Sequence, residues 1–237
     1  MFQKSHRVTA AVLAAILFLF VSAFGLYHHF RSSDTTVFAP ASRQHHMLII
    51  DPGHGGEDGG AVSVSGVPES GINLAIALKC EQVAGLFGLP VQLLRQDDSS
   101  LADDDSETLR EKKRSDLETR VEIVNGTENA LLLSIHQNNF TQPEYSGAQV
   151  FFRPEQQSQL WASKMQEQLR NGIDPENRRQ PKEIPEDIYL MSHIDCPAIL
   201  VECGFLSNPQ EDQLLQTSDY QCRLAVVLTG TCLEHWT

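Results

Sequence analysis

The sequence predicts an α/β fold: a twisted, mostly parallel sheet with helices on both faces, forming a single domain. Two observations carry this. Short, wholly apolar runs alternate with helix-patterned segments from residue 47 onward, as in βαβ units. Three of those runs end in a polar residue, at the strand ends where such sheets build their sites. About 190 residues suffice for one sizeable core.

Met47–Ile50 is an apolar run closing on Asp51-Pro52-Gly53 and reads as a strand buried on both faces. Residues 72–87 read as a helix, with Leu74, Leu78, Val83, Leu86 and Phe87 among small residues and Gly88 beyond. Val91–Leu94 is a second strand. Residues 96–113 are polar and acid-rich and read as a surface loop, open to a helical end. Residues 115–125 form a helix through Leu117, Val121 and Val124. Strands follow at Ala130–Ile135 and 148–152, and a helix at 156–170. Residues 171–187, with Pro175, Pro181 and Pro185, are irregular. Ala198–Val201 is a further strand, and 218–235 a closing helix.

Ahead of this body, Lys4, His6 and Arg7 precede an apolar run from Val8 to Tyr27, strongest over Ala10–Val21. Its core has signal-peptide length, and Val21-Ser22-Ala23 offers small residues for cleavage. The whole run, about 20 residues, is long enough to span a bilayer. Tyr27, His28, His29 and Arg31 resemble the interfacial end of an uncleaved anchor. In either case residues 1–27 export the body, 28–46 are a tether, and 47–237 are the functional domain. If the segment stays uncleaved, it holds the protein on the membrane.

Composition narrows the partners. With 41% hydrophobic and 21% charged residues the chain is globular rather than disordered. The net charge is −13, and residues 47–237 alone carry 14 basic and 30 acidic side chains, a net of −16. So acidic a body does not grip nucleic acid through its phosphates. Five cysteines (Cys80, Cys196, Cys203, Cys222, Cys232) make an odd number without C-x-x-C spacing. They read as small buried apolar residues rather than a disulfide framework or zinc ribbon, though one bridge is open to an exported protein.

The polar strand ends carry the chemistry. Asp51-Pro52-Gly53-His54-Gly55-Gly56 sets an imidazole in a glycine-rich turn, and Ser134-Ile135-His136 sets a second at a strand end. Glu69 stands at the expected start of the first helix, after Pro68. Two imidazoles and a carboxylate are a common zinc set that leaves a fourth position open. Glu202 follows Ala198–Val201, and a carboxylate there needs a partner, a shifted pKa or a task such as general base. Each residue has a plainer reading. His54 would be a turn histidine bonded to backbone, His136 a satisfied core histidine, Glu69 a first-turn acid suiting the helix dipole, and Glu202 the partner of Arg95 or Arg120. The set, at compatible positions in one topology, favours a site. Gly53–Gly60 matches neither G-x-G-x-x-G nor G-K-[ST], and no serine lies in a G-x-S-x-G elbow.

The segments MLIIDPGHGGEDGGAVSVSGVPES, LLLSIHQNN and PAILVECGFLSNPQE resemble the zinc-dependent N-acetylmuramoyl-L-alanine amidases of the type 3 family, across residues 47–237. Weaker echoes are Leu94-Arg95 with Asp97, Leu117 with Arg120 and Asn125, Gly147, and Asn177-Arg178. The resemblance implies that His54, Glu69 and His136 ligate Zn2+ and that Glu202 is the catalytic glutamate. It implies cleavage of the amide between N-acetylmuramic acid and the L-alanine of the peptidoglycan stem peptide. The short architecture, with no wall-binding repeats and little room for an inhibitory helix between His136 and Glu202, is most similar to germination-specific spore-cortex amidases. It leaves control to a regulatory protein partner. Other zinc-dependent wall hydrolases, such as carboxypeptidases or deacetylases, use the same ligand types, and an inactive wall-binding protein is a further alternative.

Overall fold

The computed structural model describes residues 46–103 and 105–236. The expected leader and tether lie outside these residues. Among the described residues no helix is long and apolar enough to cross a membrane.

Strand β1 (Met47–Pro52) pairs in parallel with β2 (Val91–Leu93) on one side and β3 (Ala130–Asn138) on the other. β3 pairs in parallel with β6 (Ala198–Phe205), which pairs antiparallel with β4 (Gln149–Phe152). A two-residue strand, β5 (Lys182–Glu183), completes the order β2-β1-β3-β6-β4-β5. The sheet is thus mostly parallel, as the sequence predicts.

Each predicted helix forms, with shifted ends. α1 (Glu69–Leu86) begins on Glu69 itself, because extended Pro68 supplies the N-cap and Ser70-Gly71 continue the first turn. The loop expected over residues 96–113 is shorter than expected, since α2 (Leu109–Asn125) starts six residues before the predicted 115. A capping box starts it: Thr108 Oγ1 accepts from Glu111 N at 3.2 Å, and Glu111 Oε2 accepts from Thr108 N at 2.9 Å. α3 (Gln156–Gly172) and α6 (Ser218–Trp236) follow expectation. Two short helices, α4 (Tyr189–His193) and α5 (Pro209–Leu215), add to it.

Side-chain alternation divides the core. Leu48, Ile50, Leu131, Leu133, Ile135, Ile199 and Val201 face α1, α3 and α6. Ile49, Leu132, Ala198 and Leu200 face the other way, toward Val124 of α2 and Leu190 and Met191 of α4. Since β1, β3 and β6 lie side by side, their carboxyl ends gather at one rim. All five cysteines are free thiols; Cys80, Cys203 and Cys232 are buried, Cys196 is partly buried and Cys222 is exposed.

Candidate metal centre

The rim gathers His54, Glu69 and His136. One ligand atom from each lies within 4.8 Å of the other two. His54 follows β1 on a glycine-rich turn and has a φ of 63°, a left-handed conformation that a β-carbon disfavours and the surroundings must hold. Glu69 opens α1. His136 lies near the end of β3, where the register against β6 shifts between His136 and Asn138. The imidazole rings stand edge to face with centroids 5.0 Å apart.

Glu69 sits between them. Its Oε1 lies 3.0 Å from His136 Nδ1 and accepts from Gln137 N at 3.0 Å and Asn73 Nδ2 at 3.1 Å. Its Oε2 lies 3.3 Å from His54 Nε2 and accepts from Ala61 N at 3.0 Å. Burial alone would raise this carboxyl; the hydrogen bonds and charges of His136 and His54 outweigh it and hold it well below the usual range. The other nitrogen of His54, Nδ1, meets Asp58 Oδ2 at 3.0 Å. Burial opposes the charged imidazole, but Asp58 and Glu69 raise it to about 9. A carboxylate behind a ligating histidine fixes ring orientation and tautomer in metal sites.

Close packing forms the cradle. A β-carbon on Gly53 would overlap the His136 ring, and one on Gly60 would lie 2.6 Å from the His54 ring and 2.7 Å from Glu69 Oε2. Only glycine fits either position.

Glu202 is the in-register neighbour of His136 on β6, so the two side chains leave the sheet on the same face. Its Oε2 is buried and has no hydrogen-bond partner. Burial and the nearby Glu69 push its carboxyl up to about 7, although His136 and His54 pull the other way. Pairing with arginine is not what occupies it. Arg95 donates to the carbonyls of Pro52, Gly53, Ser70 and Asp97 at 2.8–3.1 Å. Arg120 pairs with Asp51, and with Asp116 at 2.7 Å, while donating to the carbonyls of Pro52 and His54 at 3.2 and 2.9 Å. A cleft of about 320 Å³ opens over these groups, walled by Tyr189, Met191 and Leu200. His193 takes no part in it: its ring stacks on Tyr189 at 3.9 Å.

The sequence reading thus lists four residues that converge at one rim. It omits Asp58 and Asn73, and it names Arg120 only as an echo of the family and a partner for Glu202, whereas Arg120 anchors Asp51 and the carbonyls beside Gly53. The spacing of Asp58, four residues after His54 in a glycine turn, is the one signal that could have drawn attention to it. The donor set, two imidazoles and a carboxylate around a cradle too tight for any β-carbon, suits a divalent ion of the zinc type. The unpartnered oxygen of Glu202 beside it suits a group that meets water or substrate.

Residues 48–229 match the family model described as N-acetylmuramoyl-L-alanine amidase. The germination-specific N-acetylmuramoyl-L-alanine amidase of Bacillus subtilis (strain 168) is 34% identical over 192 residues, 81% of this chain and 80% of that one. The fold is similar to the CwlD amidase from Clostridioides difficile, solved in complex with the GerS lipoprotein: TM-score 0.77, 37% identity, covering 80% of this chain and 98% of that chain. It is also similar to the catalytic domain of CwlV from Bacillus (Paenibacillus) polymyxa var. colistinus: TM-score 0.66, 27% identity, covering 80% and 97%.

Proposed function

The chain belongs to the N-acetylmuramoyl-L-alanine amidase family and is an amidase of peptidoglycan, and from that premise we propose that it works with zinc on the spore cortex. In this reading His54, Glu69 and His136 hold the ion and Glu202 is the catalytic glutamate. The observation that carries it is the meeting of these four side chains at one sheet rim. The likeness to a germination-specific amidase supports the cortex as substrate.

When bound, zinc supplies Lewis acidity, lowering the pKa of water and polarising the scissile carbonyl. The protein does the rest. Asp58 orients His54, and three donors from Ala61, Asn73 and Gln137 keep the Glu69 carboxylate in place. Glu202 takes a proton from the attacking water and passes it to the departing amine of L-alanine. Burial holds this carboxyl above its ordinary range in the metal-free protein, and a bound cation would draw it back down, leaving a carboxylate able to accept the proton of water. The apolar wall of Met191 and Leu200 limits water around it. The C. difficile relative was solved with a lipoprotein. A regulatory partner of that kind, and an exported location in the cell envelope, complete the proposal.

The test is Glu202→Ala on purified peptidoglycan. Turnover should fall by about 10²–10⁴-fold with metal content intact. Wild-type turnover in that variant would overturn the assignment. Mass spectrometry of products from cortex and from vegetative wall identifies the preferred substrate.

A further inference from the structure

Helix α2 breaks a local rule. A helix N-terminus favours acids and disfavours cations, yet the first six residues of α2 hold Arg110, Lys112, Lys113 and Arg114 against the single acid Glu111. They do so in a body of net charge −16. Such a departure from local preference points to a task elsewhere.

The surroundings indicate which. Arg110, Lys113, Arg114 and Leu117 fall on one helical face by their spacing. With Tyr189 they line an open groove of about 460 Å³ that contains no acidic residue. Lys113, Leu117 and Tyr189 also line the cleft over His54, His136 and Glu202, so groove and cleft adjoin across these three side chains. Within the cleft the charges are mutually paired, Asp58 with His54 and Lys113, and Asp51 and Asp116 with Arg120. The groove beside it is lined by cations without an acid among them. Lys113 is tied to Asp58 at 3.1 Å and Arg114 to Glu118 at 2.8 Å. Arg110 has no acidic partner among the described residues.

We propose that this groove is the subsite for the carboxylates of the stem peptide, with Arg110 and Arg114 as its cations. The inference rests on the amidase reading. A carboxylate-bearing peptide that extends out of the cleft meets the cations of α2, which orients the peptide outward along the helix and leaves the glycan on the other side of the scissile amide. The reach fits. Arg110 lies about 4.5 Å beyond Lys113 along the axis, and two to three extended peptide residues cover roughly 7–11 Å. Guanidinium groups match carboxylates with paired hydrogen bonds, which favours arginine over lysine at the outer positions.

The test is the charge reversal Arg110→Glu/Arg114→Glu in the zinc-loaded full chain. Two synthetic muramoyl tripeptides are compared, one with free carboxylates and one with carboxamides in their place. The KM for the free acid should rise roughly three- to tenfold with kcat unchanged, and the carboxamide should be unaffected. Added salt should raise the wild-type KM for the free acid and lower the variant's, since screening weakens an attraction in one and a repulsion in the other. The melting temperature should change little, because an acid at position 110 suits the helix start and offsets the exposed Arg114–Glu118 pair that the second change removes. Calorimetric binding of the released tripeptide, which needs no turnover, should weaken by the same factor. An unchanged KM and affinity, or equal losses on acid and carboxamide, would overturn the subsite. A wild-type enzyme that cleaves neither substrate would instead sink the amidase reading, while the calorimetric arm still decides the groove.

Discussion

Arg120→Met tests whether the turn that carries His54 is held from beneath. Arg120 is fully buried and serves five acceptors: Asp51, both oxygens of Asp116, and the carbonyls of Pro52 and His54. Methionine fills much of the volume but leaves Asp51 as a buried charge whose one remaining polar side-chain partner is Ser134 at 2.6 Å. Breaking a buried pair in this way costs about 3–5 kcal/mol. For a domain of this size that lowers the melting temperature by roughly 6–20 °C. Because two of the lost bonds fix the backbone on either side of Gly53, metal affinity should fall by about 10–100-fold as well. The effect should depend on pH in a definite sense. Burial works to raise the Asp51 carboxyl, but Arg120, His136 and Ser134 hold it below its ordinary value. Its stabilisation is therefore present above about pH 4, the unfolded value, and is lost as pH falls through the folded one. In the variant Asp51 picks up a proton more readily, so the gap to wild type should narrow in acid. Asp51→Asn placed in Arg120→Met should recover part of the loss. Circular-dichroism melts between pH 3 and 8, with zinc titration at pH 7, make the measurement. A loss under about 1 kcal/mol at pH 7, or a gap that widens in acid, would refute the reasoning.

Three further outcomes are expected. In the metal-free protein His54 titrates at about 9, so metal uptake near neutrality must expel its proton. Calorimetry in buffers of different ionisation enthalpy should register that release, with apparent affinity rising about tenfold per pH unit up to about 9. By the same shift, His54 stabilises the metal-free fold fully below about pH 6.5 and loses that contribution as pH rises through about 9; a metal-free melt that is flat from pH 6 to 10 argues against it. Gly60→Ala should empty the site, since the added methyl meets both His54 and Glu69 and Gly60 has a φ of 69°. Full metal content in that variant, measured by atomic emission, would contradict the packing.

The sequence exposes the parts of this architecture that follow a period. β1, β3 and β6 are continuous apolar runs because both faces are covered, and their polar terminal residues stand out against them. What it hides has no period. The first turns of α2 carry no apolar residue until Leu117 apart from Leu109, so hydrophobic patterning cannot find them, and only Thr108 with Glu111 betrays the start. β4 is as apolar as its neighbours, and nothing in its composition tells that it runs antiparallel to β6. Asp58 lies in a turn whose geometry depends on positive φ at His54, Gly55, Gly56 and Gly60. Its alignment with His54 is created by the backbone rather than by spacing along a regular element. Arg120 is charged and fully buried, an arrangement that becomes readable only once Asp51 and Asp116 are seen around it.

The strand order has a bearing on biosynthesis. Because β3 sits between β1 and β6, a nascent chain that has emerged as far as Asn138 already carries His54, Glu69 and His136, while Glu202 belongs to a strand not yet made. In the proposed reading, the residues that hold the ion and the catalytic glutamate are thus encoded in successive stretches of the chain. Until β6 arrives, the far edge of β3 is an open template for stray pairing, and the arrival of the strand bearing the glutamate closes that edge at the same moment.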